Sequence, residues 1–326
     1  MRLHHTHHDM LSLIGCTSLV EIHKLDTGPC QLFLKMECNN PAGSIKDRVA
    51  LNMINAAEQE GRLKPGGIII EATAGNTGLG LALIAAYKGY KTLIVIPDKM
   101  SQEKIEHLKA LGAELIITRS DVNKGHPEYY QDMAAAIAEK TPNSFYINQF
   151  SNPANPATHE ASTAPEIWQQ MNNQLDAIVV GVGTGGTLLG LGRFFSKTAP
   201  QVELILADPE GSVLVPYLKT GKMITPGSWF VEGIGEDFIP PFCDLSLVKD
   251  GYTVTDAQAF SAARELLAKE GILAGSSSGV LLHAALEYCR KQTKPKRVVT
   301  FACDTGNKYL SKMYNERWMK DHGFLK

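Results

Sequence analysis

One lysine and a small set of glycine-, threonine- and serine-rich loops carry the residue types that could do chemistry. Lys46 lies in NNPAGSIKDR, residues 39–48, at the mouth of a helical pattern. The positive end of a helix macrodipole lowers the proton affinity of an amine, as a nucleophilic lysine requires. Pro41, Gly43 and Ser44 predict a turn that holds its backbone. A surface lysine following a serine cap would give the same pattern. EATAGNTG, residues 71–78, crowds Thr73, Gly75, Asn76 and Thr77 into a strand-to-helix turn. Helix amides point outward there, which suits a carboxylate or a phosphate. A capping role for Asn76 or Thr77 explains one of those polar residues but not four.

GVGTGGTLLGLG, residues 181–192, spells G-x-G-x-x-G after an apolar run, and Asp208 ends the next apolar run. That is the pattern of a dinucleotide site with its ribose-binding acid. Its core, Gly183, Thr184, Gly185, Gly186 and Thr187, equally suits one compact phosphate reached by backbone amides and two hydroxyls. AGSSSG, residues 274–279, precedes a further helical pattern. Its serines read as caps, or one of them offers a neutral hydroxyl to a ring nitrogen that stays unprotonated. A reactive lysine, a phosphate cup, a carboxylate-binding turn and a neutral ring-nitrogen partner together describe a pyridoxal phosphate site. A dehydrogenase has no use for that lysine.

The elements that position these loops alternate in type. Val49, Met53 and Ala57 share one face of a helix that Gly61 and Pro65 end. Strand runs at 68–70, 92–96, 115–118 and 145–147 alternate with helical runs at 79–88, 101–111 (Ser101 as N-cap) and 129–140. Asn152–Pro156 (NPANP) interrupts the pattern. A second set follows: helices at 165–171, 187–196, 258–269, 279–290 and 306–319, with strands at 177–180, 202–207 and 297–302. Such alternation predicts an α/β protein whose parallel sheets are covered by helices on both faces, in two lobes.

Composition sets the class. The 326 residues are 44% apolar and 20% charged, with a formal net charge of −2, so no basic surface for nucleic acid or membrane is expected. No apolar run approaches the ~20 residues that span a bilayer. MRLHHTHHDM lacks a charged-then-apolar signal pattern, which predicts a cytoplasmic protein. His4, His5, His7 and His8 read as a solvated terminus. Cys16, Cys30, Cys38, Cys243, Cys289 and Cys303 lack C-x-x-C spacing, so buried free thiols and no metal site are expected.

The sequence resembles the fold-type II pyridoxal phosphate enzymes of the β-replacement family, the cysteine synthases and cystathionine β-synthases, over nearly the whole chain. LIGCTSLVEI, NPAGSIKDR, TAGNTG, NQFSNPANP, GTGGT and VEGIGEDFIP carry the likeness. It implies that Lys46 bonds the cofactor, and that Asn76 accompanies the cofactor's 3′-oxygen. It makes Thr73, Ala74, Gly75, Asn76, Thr77 and Gln149 the substrate-carboxylate residues, with Gly233 near the substrate. Gly183 to Thr187 become the phosphate cup, and Ser277 the pyridine-nitrogen partner. The implied fold is two three-layer lobes with mainly parallel sheets, like the tryptophan synthase β-subunit, with the cofactor in the cleft between them. The smaller lobe would take residues 47–152 and the larger 1–46 plus 153–326. The implied reaction joins homocysteine to serine or O-acetylserine, with cysteine synthesis from O-acetylserine and sulfide as the alternative, in a homodimer. DPEGS, VEGIGEDFIP and the terminal YLSKMYNERWMKDHGF favour cystathionine β-synthase, whereas QFSNPANP and SSSG favour cysteine synthase. Two positions depart from the pattern. Ala74 replaces the usual serine, and Glu236 stands where cystathionine β-synthases carry tyrosine. An NAD-dependent dehydrogenase and a non-catalytic module binding a partner's tail are the readings from other classes.

Overall fold

The computed structural model describes residues 7–73, 75–98, 102–119, 121–122 and 125–325. Ala74, His4, His5 and Ser101, named above, lie outside them. The chain opens with β1 (Leu19–Glu21) and β2 (Gln31–Lys35), an antiparallel pair. Then come α1 (Lys46–Gln59), β3 (Ile68–Ala72), α2 (Asn76–Lys88), β4 (Lys91–Pro97) and α3 (Gln102–Ala110). β5 (Glu114–Thr118), α4 (Tyr130–Lys140) and β6 (Ser144–Tyr146) follow. The second half holds α5 (Ala154–Thr158), α6 (Ala164–Gln170), β7 (Ala177–Val180), α7 (Gly186–Thr198), β8 (Glu203–Pro209) and α8 (Leu214–Thr220). It ends with β9 (Val248–Val254), α9 (Asp256–Glu270), α10 (Ser276–Arg290), β10 (Arg297–Phe301) and α11 (Glu316–Asp321).

The chain divides into two compact units. One holds the described residues up to Cys16 with Asn40–Asn155, the other Thr17–Asn39 with the residues from Pro156 onward. The first is built on a four-stranded sheet, order β5-β4-β3-β6, parallel throughout. The second has six strands, order β1-β2-β10-β7-β8-β9, parallel except for β1. The fold is thus α/β with mainly parallel sheets. Parallel neighbours need crossover connections, and the helices supply them. They also cover the sheet faces, which is why all four residues of β7 (AIVV) are buried. On α1 the expected Val49, Met53 and Ala57 are buried, packed with Leu81, Ile84 and Ala85 of α2 in one cluster. Replacing a fully buried Met53 by alanine costs about 2–5 kcal/mol by lost transfer energy and cavity.

Several expectations are corrected. Residues 306–319 are not one helix. A 3-10 turn at Gly306–Tyr309 is separated from α11, which restarts where the Asn315 side chain accepts the Trp318 N–H at 3.1 Å. NPANP is not wholly a break, because α5 begins inside it and runs into a π-helical turn, His159–Thr163. The serines of AGSSSG are not ahead of a helix but form the first turn of α10. β1, β2, β9 and α8 were not expected. Of the six cysteines expected to be buried, only Cys30, Cys243 and Cys289 are, while Cys16 is exposed. No helix among the described residues is long and apolar enough to cross a membrane.

Candidate active site

The functional side chains fall into two groups, one in each unit. In the first unit Lys46 opens α1 and is half-buried, with its backbone N–H donating to Ser44 Oγ at 3.2 Å. Gly43, at φ +77°, bends the preceding loop, and its N–H donates to Asn40 O at 2.7 Å. Asp47 is fully buried and accepts from the Ala42 N–H at 2.5 Å and from Ser44 Oγ at 3.3 Å. The acid that suits a helix N-terminus is therefore present one residue on, and it ties down the loop that aims Lys46. The α1 start packs against α2 at Gly80, where a Cβ would lie 3.1 Å from Ala50 Cβ and 3.3 Å from Lys46 O.

α2 begins at the TAGNTG turn. Thr73 is held to the sheet by its N–H to Val95 O at 3.1 Å, and its Oγ1 accepts the Gly75 N–H at 3.2 Å. The threonine keeps its own proton to donate. Thr77 is buried, and its Oγ1 donates to Gln149 Oε1 at 2.6 Å. The structure thus joins Gln149 to the turn from 72 residues away. Asn148 takes φ +50° to present it, and Asn155 Nδ2 anchors the Gln149 carbonyl at 2.9 Å.

In the second unit the 183–187 loop joins β7 to α7. Gly185 has φ +84°, and a Cβ there would lie 2.6 Å from backbone atoms of Phe242 and Cys243. A Cβ on Gly183 would lie 2.7 Å from Gly233 O. Thr184 Oγ1 accepts the Gly186 N–H at 3.4 Å, and Thr187 Oγ1 lies 3.2 Å from Nε2 of buried His159. His159 Nδ1 in turn lies 2.9 Å from Thr163 Oγ1. The loop carrying Gly233 is stitched on both sides. Gly235 donates to Val182 O at 2.9 Å, and the Glu232 N–H donates to Ser276 Oγ at 3.0 Å in the first turn of α10. Ser278 Oγ accepts the Cys303 N–H at 2.9 Å. Ser277 is buried between them.

Glycine at the N-cap sets three of these helix starts apart, although α1, α4, α6 and α8 also lack a side-chain cap. α9 carries a full capping box, with Thr255 and Gln258 satisfying each other's backbone. α2, α7 and α10 instead have glycine at the N-cap (Gly75, Gly185 and Gly275) and no side-chain cap. Uncapped helix N-termini at polar loops are where anions bind. The 183–187 cup, too tight for a Cβ and flanked by two threonines, fits a phosphate. Ser277, buried in the first turn of α10, fits a neutral partner for a ring nitrogen, and Lys46 fits a covalent attachment point. These residues match pyridoxal phosphate.

A dinucleotide fits less well. Asp208 is fully buried inside β8, and its Oδ2 accepts the Val215 N–H at 3.0 Å, so it anchors α8. Burial raises its pKa to about 6 against the opposing hydrogen bonds of Val215, Ser212 and Leu214. Sequence reading also missed His159, Glu71 and the Phe242–Cys243 backing. Only Glu71, an acid ending an apolar run, left a signal.

Comparison with known proteins agrees. The chain is 42% identical to a cystathionine β-synthase of Apis mellifera over 97% of its length, and spans 63% of that relative. It is also 42% identical to a probable cysteine synthase of Bacillus subtilis (strain 168), covering 92% of this chain and 94% of that one. A crystal structure of O-ureido-L-serine synthase superposes with a TM-score of 0.88 at 32% identity, covering 95% of this chain and 96% of that one. The family model described as "Pyridoxal-phosphate dependent enzyme" matches residues 10–304. The chain belongs to the pyridoxal-phosphate dependent enzymes.

Proposed function

We propose that the chain catalyses β-replacement, joining homocysteine to serine or O-acetylserine as a cystathionine β-synthase does. The observation that carries the choice of acceptor is the C-terminal segment, whose sequence resembles those enzymes. It braces the loop of Gly233: Lys312 Nζ pairs with Glu232 at 2.7 Å, and the Phe230 ring meets those of Trp318 and Phe324 at 5.7 and 5.5 Å.

Bound pyridoxal phosphate supplies an electron sink for the charge left when the substrate loses its α-proton. Lys46 would hold the cofactor in the resting enzyme. Its Nζ, once released, would take the α-proton as general base. Thr73, Thr77, Gln149 and the backbone of Ala74 and Gly75 would hold the substrate carboxylate, and Asn76 would steady the cofactor's 3′-oxygen. Gly183, Thr184, Gly185, Gly186 and Thr187 would hold the phosphate. Ser277 would meet the ring nitrogen without giving it a proton, which favours β-elimination over transamination. Gly233 would border the incoming thiol. Burial, then the carboxylates of Asp237 and Asp208, hold the Glu236 carboxyl well above its ordinary range. An uncharged Glu236 removes the repulsion that an acid at this position would exert on an anionic thiol.

Supplying each donor–acceptor pair and identifying the product tests the reading. Cystathionine from homocysteine supports it, whereas cysteine formed only from O-acetylserine and sulfide favours the second reading. The Bacillus subtilis relative, matched nearly end to end, is the reason to keep that second reading. Lys46→Ala is expected to lower turnover about 10²–10⁴-fold and to remove the visible absorbance of the lysine-bound cofactor. We also propose a cytoplasmic homodimer. Light scattering should then give about twice the 35.5 kDa chain mass.

A further inference from the structure

Behind the carboxylate-binding turn lies an acid that the mechanism above does not use. Glu71, on β3 two residues before Thr73, is 1% exposed, and its Oε2 is buried without a hydrogen-bond partner among the described residues. The side chain of Gln149 and the backbone amides of Gln149, Asn148 and Ala72 interact with its carboxyl. On its other side Gln149 takes the 2.6 Å hydrogen bond from Thr77. Glu71, Gln149 and Thr77 therefore form a buried polar chain that ends at the turn.

The direction of that chain decides what the turn offers. With Gln149 Oε1 toward Thr77, the threonine's only proton is committed to the glutamine, and a ligand meets lone pairs. A carboxylate needs donors instead. Turning the Gln149 amide over exchanges nitrogen and oxygen at nearly the same positions. Nε2 then donates to Thr77 Oγ1, and the threonine proton is released toward the ligand. Gln149 Oε1 now faces Glu71. An ionised carboxylate there repels it, and a protonated one donates to it.

We propose that Glu71 is a positioning residue whose protonated carboxyl donates to Gln149, so that Thr77 presents its proton to the α-carboxylate of the amino-acid substrate. The inference rests on the amino-acid substrate proposed above. Burial pushes the Glu71 carboxyl up to about 8 against the opposing hydrogen bonds of Gln149, Asn148 and Ala72, so the donor form is the one present at neutral pH. From β6, Tyr146 faces Glu71, with Tyr130 and Asp132 of α4 and Tyr129 acting on it in turn. Its phenol is held above its ordinary range, first by burial and then by Glu71, so it keeps its proton while Glu71 titrates. Across the sheet the β4 partner of Glu71 is Ile94. α2 carries titratable side chains only at its far end, Tyr87 and Lys88, and residues 147–155 carry none.

The test is calorimetric binding of L-alanine, which has the α-carboxylate but no β-leaving group. The holoenzyme is measured well below and well above pH 8 as wild type, Glu71→Gln and Thr77→Val. Comparing the proteins at each pH cancels the titration of alanine's own amine. As pH rises through about 8, wild-type affinity should fall about tenfold or more relative to Glu71→Gln, whose amide donates at every pH. Below that pH the two should bind alike. Thr77→Val should bind weakly throughout, with no fall of its own. Parallel curves for wild type and Glu71→Gln would overturn the relay alone. Failure of every form to bind alanine or serine would overturn the amino-acid reading with it.

Discussion

The TAGNTG turn and the GTGGT cup are built on one plan and finished with different materials. Each follows a buried parallel strand and opens a helix with glycine at its N-cap. In the cup the glycines answer to the protein. Gly185 needs a left-handed backbone, and the Phe242–Cys243 backbone fills the space of its Cβ. In the turn Gly75 is extended, at φ −143°, and a Cβ there would meet nothing within 4 Å. Its polar groups are side chains, Thr73, Thr77 and Gln149, with a titratable acid behind them. A site of fixed shape is thus made from backbone locked by close packing. The turn proposed to admit and release a substrate is made from side chains that can turn.

Matched substitutions sharpen this contrast. Gly185→Ala should be the most damaging, lowering stability by about 2–5 kcal/mol through backbone strain and overpacking. Denaturant midpoints and retained cofactor would show it, and an unchanged midpoint would break the contrast. The second effect is a slope with pH. The Glu71 carboxyl sits at about 8 in the folded chain against an ordinary 4.5, so the folded state keeps a proton that the unfolded state has lost. That contribution is complete below about 4.5 and fades as pH rises toward 8. Relative to Glu71→Gln, the wild-type chain should lose up to about 1.4 kcal/mol per pH unit across that window, as urea titrations would reveal. The smallest effect on folding belongs to Gly75→Ala. Its midpoint should stay within about 0.5 kcal/mol of wild type even if ligand affinity changes.

The same contrast explains what could be read from the sequence. Lys46, the turn and the cup announce themselves because glycine and hydroxyl residues cluster where periodicity changes from strand to helix. The alternation of buried apolar runs likewise predicts β3 through β8 near their observed bounds. What backs each site has no local pattern. His159 is a lone histidine whose use depends on Thr187, and Phe242–Cys243 matter through main-chain position rather than residue type. β1 has three residues and β9 contains Gly251, so neither shows a recognisable period. The 306–319 segment reads as helical, yet Asn315 prefers to begin a new helix rather than continue one.

Gly80 has a meaning for anyone interpreting inherited variation in this chain. The residue touches no ligand in the proposed mechanism, and a survey of reactive groups would pass over it. Yet Ala50 and the α1 backbone at Lys46 and Asp47 already stand 3.1 to 3.3 Å from where a Cβ would be, so a side chain there must push the start of α1 by a few tenths of an ångström. A variant adding bulk at position 80 would therefore press first on the opening turn of α1, where Lys46 stands.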